Sequence, residues 1–151
     1  MAISITTAMP TSFKVEILKA VHNFTASTGN TFKIALFVST ASGSGTFGAA
    51  TTNYSNMGAD QLPTATGYTQ TGNTLVSATP VADGTTAICD FADTTWTSAT
   101  FTTSGALIYN SSASNAACAV LSFSGDQQVS SGDFTIQFPV AAAATAIIRI
   151  A

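Results

Sequence analysis

The chain reads as mainly β, an antiparallel β-sandwich or jelly-roll-like domain with one short N-terminal amphipathic helix. Three observations predict this. Apolar residues alternate with polar ones at a period of two along most of the sequence, Gly, Ser, Asn and Pro break the runs about every eight to twelve residues, and helical periodicity occurs once.

The helix comes first. Thr11 and Ser12 follow Pro10 and offer N-cap oxygens, and Phe13, Ile17, Val21 and Phe24 recur at helical spacing with Leu18 widening the stripe, which predicts a helix over residues 11–22. Glu16 and Lys19 lie on its solvated flank, and it ends near His22-Asn23, where Asn accepts a left-handed turn. Residues 1–10 carry no core periodicity and read as an N-terminal arm ahead of a single β-sandwich domain over 11–151.

Beyond Thr31 the period is two. Phe32, Ile34 and Leu36 alternate with Lys33 and Ala35; Ala87, Cys89 and Phe91 alternate around Asp90; Phe134, Ile136 and Phe138 alternate with Thr135 and Gln137. Further strands are predicted over 73–79, 95–103, 106–110, 117–123 and 146–150, where Thr, Val, Ile and aromatic residues favour a pleated surface. Turn signals stand between them, among them Ser124-Gly125-Asp126 and Ser131-Gly132-Asp133. Segment 41–72 shows no clean alternation and reads as a long loop, of a length usually functional or mobile.

Composition narrows the function. The 151 residues include 26 Thr and 17 Ser but only four basic and seven acidic side chains, for a net charge of −3. Lys14, Lys19, Lys33 and Arg149 cannot neutralise enough phosphates to hold nucleic acid. The most apolar stretch, 140–150, is interrupted by Thr145 and Arg149 and is shorter than the roughly 20 residues of a spanning helix, so no membrane partner is expected. The first ten residues lack a basic region followed by an apolar run, which predicts a chain that starts in a cytoplasm. Cys89 and Cys118 are too few for a disulfide scaffold and read as small buried hydrophobes.

Chemistry-bearing patterns are weak throughout. Gly43-Ser44-Gly45-Thr46-Phe47-Gly48 fits a dinucleotide fingerprint, but no helical stripe follows it, so it reads as a flexible loop. His22 has no nucleophile elbow downstream and reads as a helix-terminal residue favourable to the dipole. One His, two distant Cys and scattered Asp make no zinc spacing; Asp90 and Asp93 face opposite sides of a strand, and Asp126 or Asp133 with loop carbonyls is the remaining calcium arrangement. The sequons at Asn23, Asn53 and Asn110 are what a Ser- and Thr-rich chain supplies by chance. No catalytic, cofactor or metal residue is assigned, and the chain is not expected to be an enzyme. Trp96, Tyr68 and Tyr54 would be the aromatics of a sugar-binding face, with core packing the competing reading.

The exterior implied by these counts is uncharged and hydroxyl-rich. So few charges give weak colloidal repulsion, which suits a surface that is covered by copies or partners.

Several strings converge on one resemblance. Ser12-Phe13-Lys14 running into Ala20-Val21-His22-Asn23-Phe24, then Asn30 to Phe37, Gly67-Tyr68, Ala92 to Trp96, Gly105 to Asn110, Phe134 to Pro139 and Ile147 to Ile150 together resemble a family of small virion structural proteins of tailed bacteriophages and cyanophages. The resemblance covers nearly the whole chain and implies a β-rich virion subunit, made in the host bacterial cytoplasm. Capsid cement or decoration on the major capsid protein is the first role it implies, as a homotrimer; a tail-associated protein or carbohydrate-binding tail module is the alternative. By exclusion, the contacts fall on arm 1–10 and loop 41–62. Proteins it resembles usually have Gly where Ala20 stands and a shorter segment near 41–60.

Overall fold

Apolar alternation in Phe32–Leu36 produces the strand on which the rest of the molecule is laid. The computed structural model describes residues 2–151. In chain order it contains β1 (Ser4–Ile5), α1 (Thr11–Leu18), β2 (Phe32–Leu36), β3 (Thr46–Phe47), two 3-10 turns joined at Gly58 within Tyr54–Asp60, β4 (Asn73–Thr74), β5 (Val81–Asp83), β6 (Thr86–Cys89), β7 (Thr94–Asn110), β8 (Ala116–Ile136) and β9 (Ile148–Ile150). Strand accounts for 45% of the chain and helix for 10%, so the mainly β expectation holds.

Three sheets form. The largest has the order β4-β2-β7-β8, antiparallel throughout, with Phe32 opposite Asn110 and Leu36 opposite Ala106. A second is the antiparallel set β5-β6-β9, and the third pairs β1 with β3 in parallel. The alternation in β2 and β7 sends Phe32, Ile34, Leu36, Ala106 and Ile108 into one core and Ala35, Phe37, Leu107 and Tyr109 into another on the opposite face. Both faces of the central strands are therefore dry, where the sequence predicted half-buried strands.

The second core corrects two expectations. Ile3, Phe47 and Met57 fill it, drawn from residues that read as an arm and a long loop. The arm is paired in: Ser4 lies opposite Thr46, Ile5 opposite Phe47, and Ala8 bridges Val120. Met1 lies outside the described residues. Segment 41–72 is tied down at both ends of its 3-10 turns, where Asn53 caps Ser55 and Phe37 bridges Gln61. Short pieces approaching a sheet at different angles bury one or two side chains each, so they leave no period in the sequence.

β7 and β8 are longer than predicted and are not straight. A 21-residue strand would span about 70 Å. Here the rings of Phe123 and Phe134, both on β8, lie 6.2 Å apart. The ribbon bends at irregularities between Thr103, opposite Gln127, and Gly105, opposite Ser122, and again near Ala99, opposite Gly132. Ser98, Ser124, Ser131 and Gly125 take positive φ there. The Ser-Gly-Asp strings thus make bulges that curl one ribbon, where turns between separate strands were predicted.

The helix is shorter than predicted. It runs 11–18, ahead of Ala20 in the left-handed region (φ 56°), and no side chain caps its start. Phe13 is buried, but Leu18 is 88% exposed and Val15 and Val21 also face solvent, so the stripe is not a continuous amphipathic face. Phe24 reaches the core from the following loop, stacked on Phe32 at 4.3 Å. No helix among the described residues is long and apolar enough to cross a membrane.

Candidate functional site

The polar groups that the fold brings together converge beneath the end of α1. His22 lies four residues beyond the helix, so the helix-terminal reading is corrected; its side chain is fully buried and its Nε2 lies 2.8 Å from Glu16 Oε2. Its Nδ1 lies 3.0 Å from Asn110 Nδ2 and 4.0 Å from Cys118 Sγ. Phe13, at 4.8 Å between ring centroids, Phe24 and Phe32 wall the imidazole. α1 thus supplies Glu16, β7 supplies Asn110 and β8 supplies Cys118.

Asn110 organises this cluster. It is fully buried, and its Oδ1 accepts from the amides of Ser112 (3.0 Å) and Ala113 (3.2 Å), which closes the turn between β7 and β8. Its amide nitrogen donates to Asn30 Oδ1 (2.9 Å), an oxygen that also accepts from the Asn23 amide. Alternation in β7 places Ala106, Ile108 and Asn110 on one face, so a polar residue was due inside at this point. That is the one signal in the sequence that could have revealed the site; Glu16, Asn30 and Cys118 gave none.

Cys118, His22 and Glu16 stand in the order of a thiol, a base and an orienting carboxylate. The chemistry differs from that of an activated nucleophile. Burial pushes the Cys118 thiol up, and the Glu16 charge pushes it the same way. The thiol donates to Ala116 O (3.6 Å), and the ring nitrogen nearest to it is already taken by Asn110. A reactive cysteine needs an electropositive, partly open setting. This cluster instead cross-links the α1 exit, the 23–30 loop and the β7–β8 turn.

Two depressions flank it. A cleft of about 110 Å³ between the α1 exit and the β5-β6-β9 sheet is lined by Ile17, His22, Phe24, Ile88, Cys89 and Ile148, among others. A larger one, of about 500 Å³, lies against β8 and includes Met9, Cys118, Leu121, Phe123, Phe138 and Ile147. Neither has a charged side chain in its lining.

The other candidates are dispersed. Tyr68 and Trp96 are buried 5.9 Å apart among core aromatics, and Tyr54 stacks on Tyr109, so they form no sugar-binding platform. Asp126 accepts from the Thr40 amide and Asp133 from the Ser98 amide, and no cluster of metal-ligating side chains occurs among the described residues. Asp93 accepts from the Phe138 amide; Asp90 is buried, which raises its carboxyl above the usual range against the lowering effect of the Phe91 and Ile147 amides. Cys89 and Cys118 are both buried and free. The glycine string is an anion nest with its own anion, since Asp60 takes the amides of Ser44 (2.9 Å) and Gly45 (2.8 Å). That carboxylate would repel a phosphate, and it holds in place what the sequence predicted to be flexible. No protein-family model, curated protein or solved structure matches this chain.

Proposed function

We propose that the chain is a structural subunit of a tailed-phage virion, acting as a cement or decoration protein on the assembled capsid lattice. The observation that carries this reading is the exterior. Large apolar side chains, among them Leu18, Val76, Val81, Val140 and Ile150, stand exposed on a molecule with eleven charged side chains, and Ile150 lines the apolar cleft beside the α1 exit. Exposed apolar surface with so little charge around it suits interaction with partners. The β5 and β9 edges of the β5-β6-β9 sheet add unpaired backbone groups. Exposed residues of segment 41–60 are Ala, Ser, Thr, Asn and Gly.

A cement protein binds only the assembled lattice and stabilises it by mass action. A trimer touching several capsomer edges gains avidity although each contact is weak. The resemblance in sequence favours this role over a tail position, which is the second reading. Co-sedimentation of purified protein with purified capsids tests it, together with labelled imaging of intact virions. Binding to shells, label on the head and a trimer in sedimentation analysis are expected. A strict monomer that ignores shells overturns the proposal, and label confined to the tail replaces it with the second reading.

A further inference from the structure

The hydrogen bonds around His22 determine where its proton sits. Backbone amides can only donate, so the Ser112 and Ala113 amides fix Oδ1 of Asn110 on their side. The Asn23 amide likewise fixes Asn30 Oδ1 as an acceptor. The NH2 of Asn110 therefore points at Asn30 Oδ1 and at His22 Nδ1. Facing a donor, Nδ1 must present its lone pair, and Nε2 must carry the hydrogen that Glu16 accepts at 2.8 Å. Every contact of the ring is satisfied by one neutral tautomer.

We infer that His22 is a proton-operated latch. A second proton on Nδ1 would set an N–H against the amide hydrogens of Asn110. Asn110, itself fully buried, is held against turning over, because its two backbone donors and Asn30 would all lose their partners at once. Protonation thus separates the ring from Asn110 and frees the 23–30 loop and the β7–β8 turn from the α1 exit. The titratable groups that face the ring are Glu16 from α1 and Cys118 from β8, with Cys89 of β6 across the cleft. The burial-raised thiols stay neutral. Asn110 opposes the second proton by geometry, and it is this opposition that makes the site a switch.

The test is nuclear magnetic resonance of the uniformly 15N-labelled protein from about pH 8 to 5, the span in which imidazoles titrate. At pH 8 the ring nitrogens should report Nδ1 bare and Nε2 protonated. On acidification the Ser112 and Ala113 amides should shift in step with the ring, because the Asn110 carboxamide to which they donate loses its contact with Nδ1. In His22→Gln, which offers an acceptor to Asn110 and a donor to Glu16 without titrating, both amides should stay constant. A ring protonated on Nδ1 at pH 8 overturns the latch. So do amides that ignore the ring's titration, amides that respond equally in His22→Gln, or a ring that stays neutral until the whole protein unfolds.

Discussion

Ala20 holds a left-handed backbone conformation with φ 56°, where a Cβ crowds the following carbonyl. Ala20→Gly should therefore raise the unfolding free energy by about 1 kcal/mol, measured by urea denaturation, despite glycine's larger entropy in the unfolded chain. The thiols make a second prediction. Burial, with the neighbouring Asp90 charge, pushes Cys89 up to about 11, so its reactive thiolate forms only as pH climbs toward that value. At pH 8 its thiolate fraction should be roughly a hundredfold below that of an unperturbed cysteine. Iodoacetamide should leave native protein unlabelled at pH 8 while labelling both cysteines in urea, and as pH rises Cys89 should react before the more deeply buried Cys118.

The β7–β8 ribbon depends on its bends. Phe134 packs against Trp96, its cross-strand partner, and against Phe101 and Phe123, with ring centroids 6.0, 5.2 and 6.2 Å away, and the curl brings the last of these, eleven residues away on the same strand, to the others. Its ring remains half-buried, since the far part of β8 faces solvent. Phe134→Ala should then cost about 2 kcal/mol in chemical denaturation, less than the 3–5 kcal/mol typical of a fully enclosed ring. The same ribbon accounts for much of the hydroxyl content. Thr103 Oγ1 donates to Phe37 O at 2.7 Å and Ser104 Oγ to Val38 O at 2.6 Å, both buried, so some of the Thr and Ser that read as surface instead satisfy carbonyls at the end of β2.

Two cores on opposite faces of one sheet make the molecule sensitive at its N-terminus. Ile3 is 6% exposed within the second core, and the Ser4 and Thr6 amides donate to Gly45 O and Phe47 O. Deleting residues 1–7 removes Ile3 and Ile5 and uncovers Phe47. That should cost on the order of 4 kcal/mol from apolar burial alone, a large part of the stability of an ordinary domain. A melting temperature lower by roughly 10 °C or more is expected by calorimetry, and an unchanged one would return these residues to the status of a free arm.

Local alternation was enough to place β2, β6 and parts of β7 and β8, and the inward side of Phe32, Ile34, Leu36 and Ile136, because a strand's faces are set by residues two apart. Composition alone indicated buried thiols. Neither could show that Ser124-Gly125-Asp126 and Ser131-Gly132-Asp133 bend one ribbon: the same residues suit a turn and a bulge, and only the partner strand's register chooses between them. The second core was equally silent, since Ile3, Phe47 and Met57 come from segments too short to carry a period. Residues 16, 22, 30, 110 and 118 meet only when β7 and β8 close against α1. Their chemistry is a matter of distance and burial, and tertiary packing sets both.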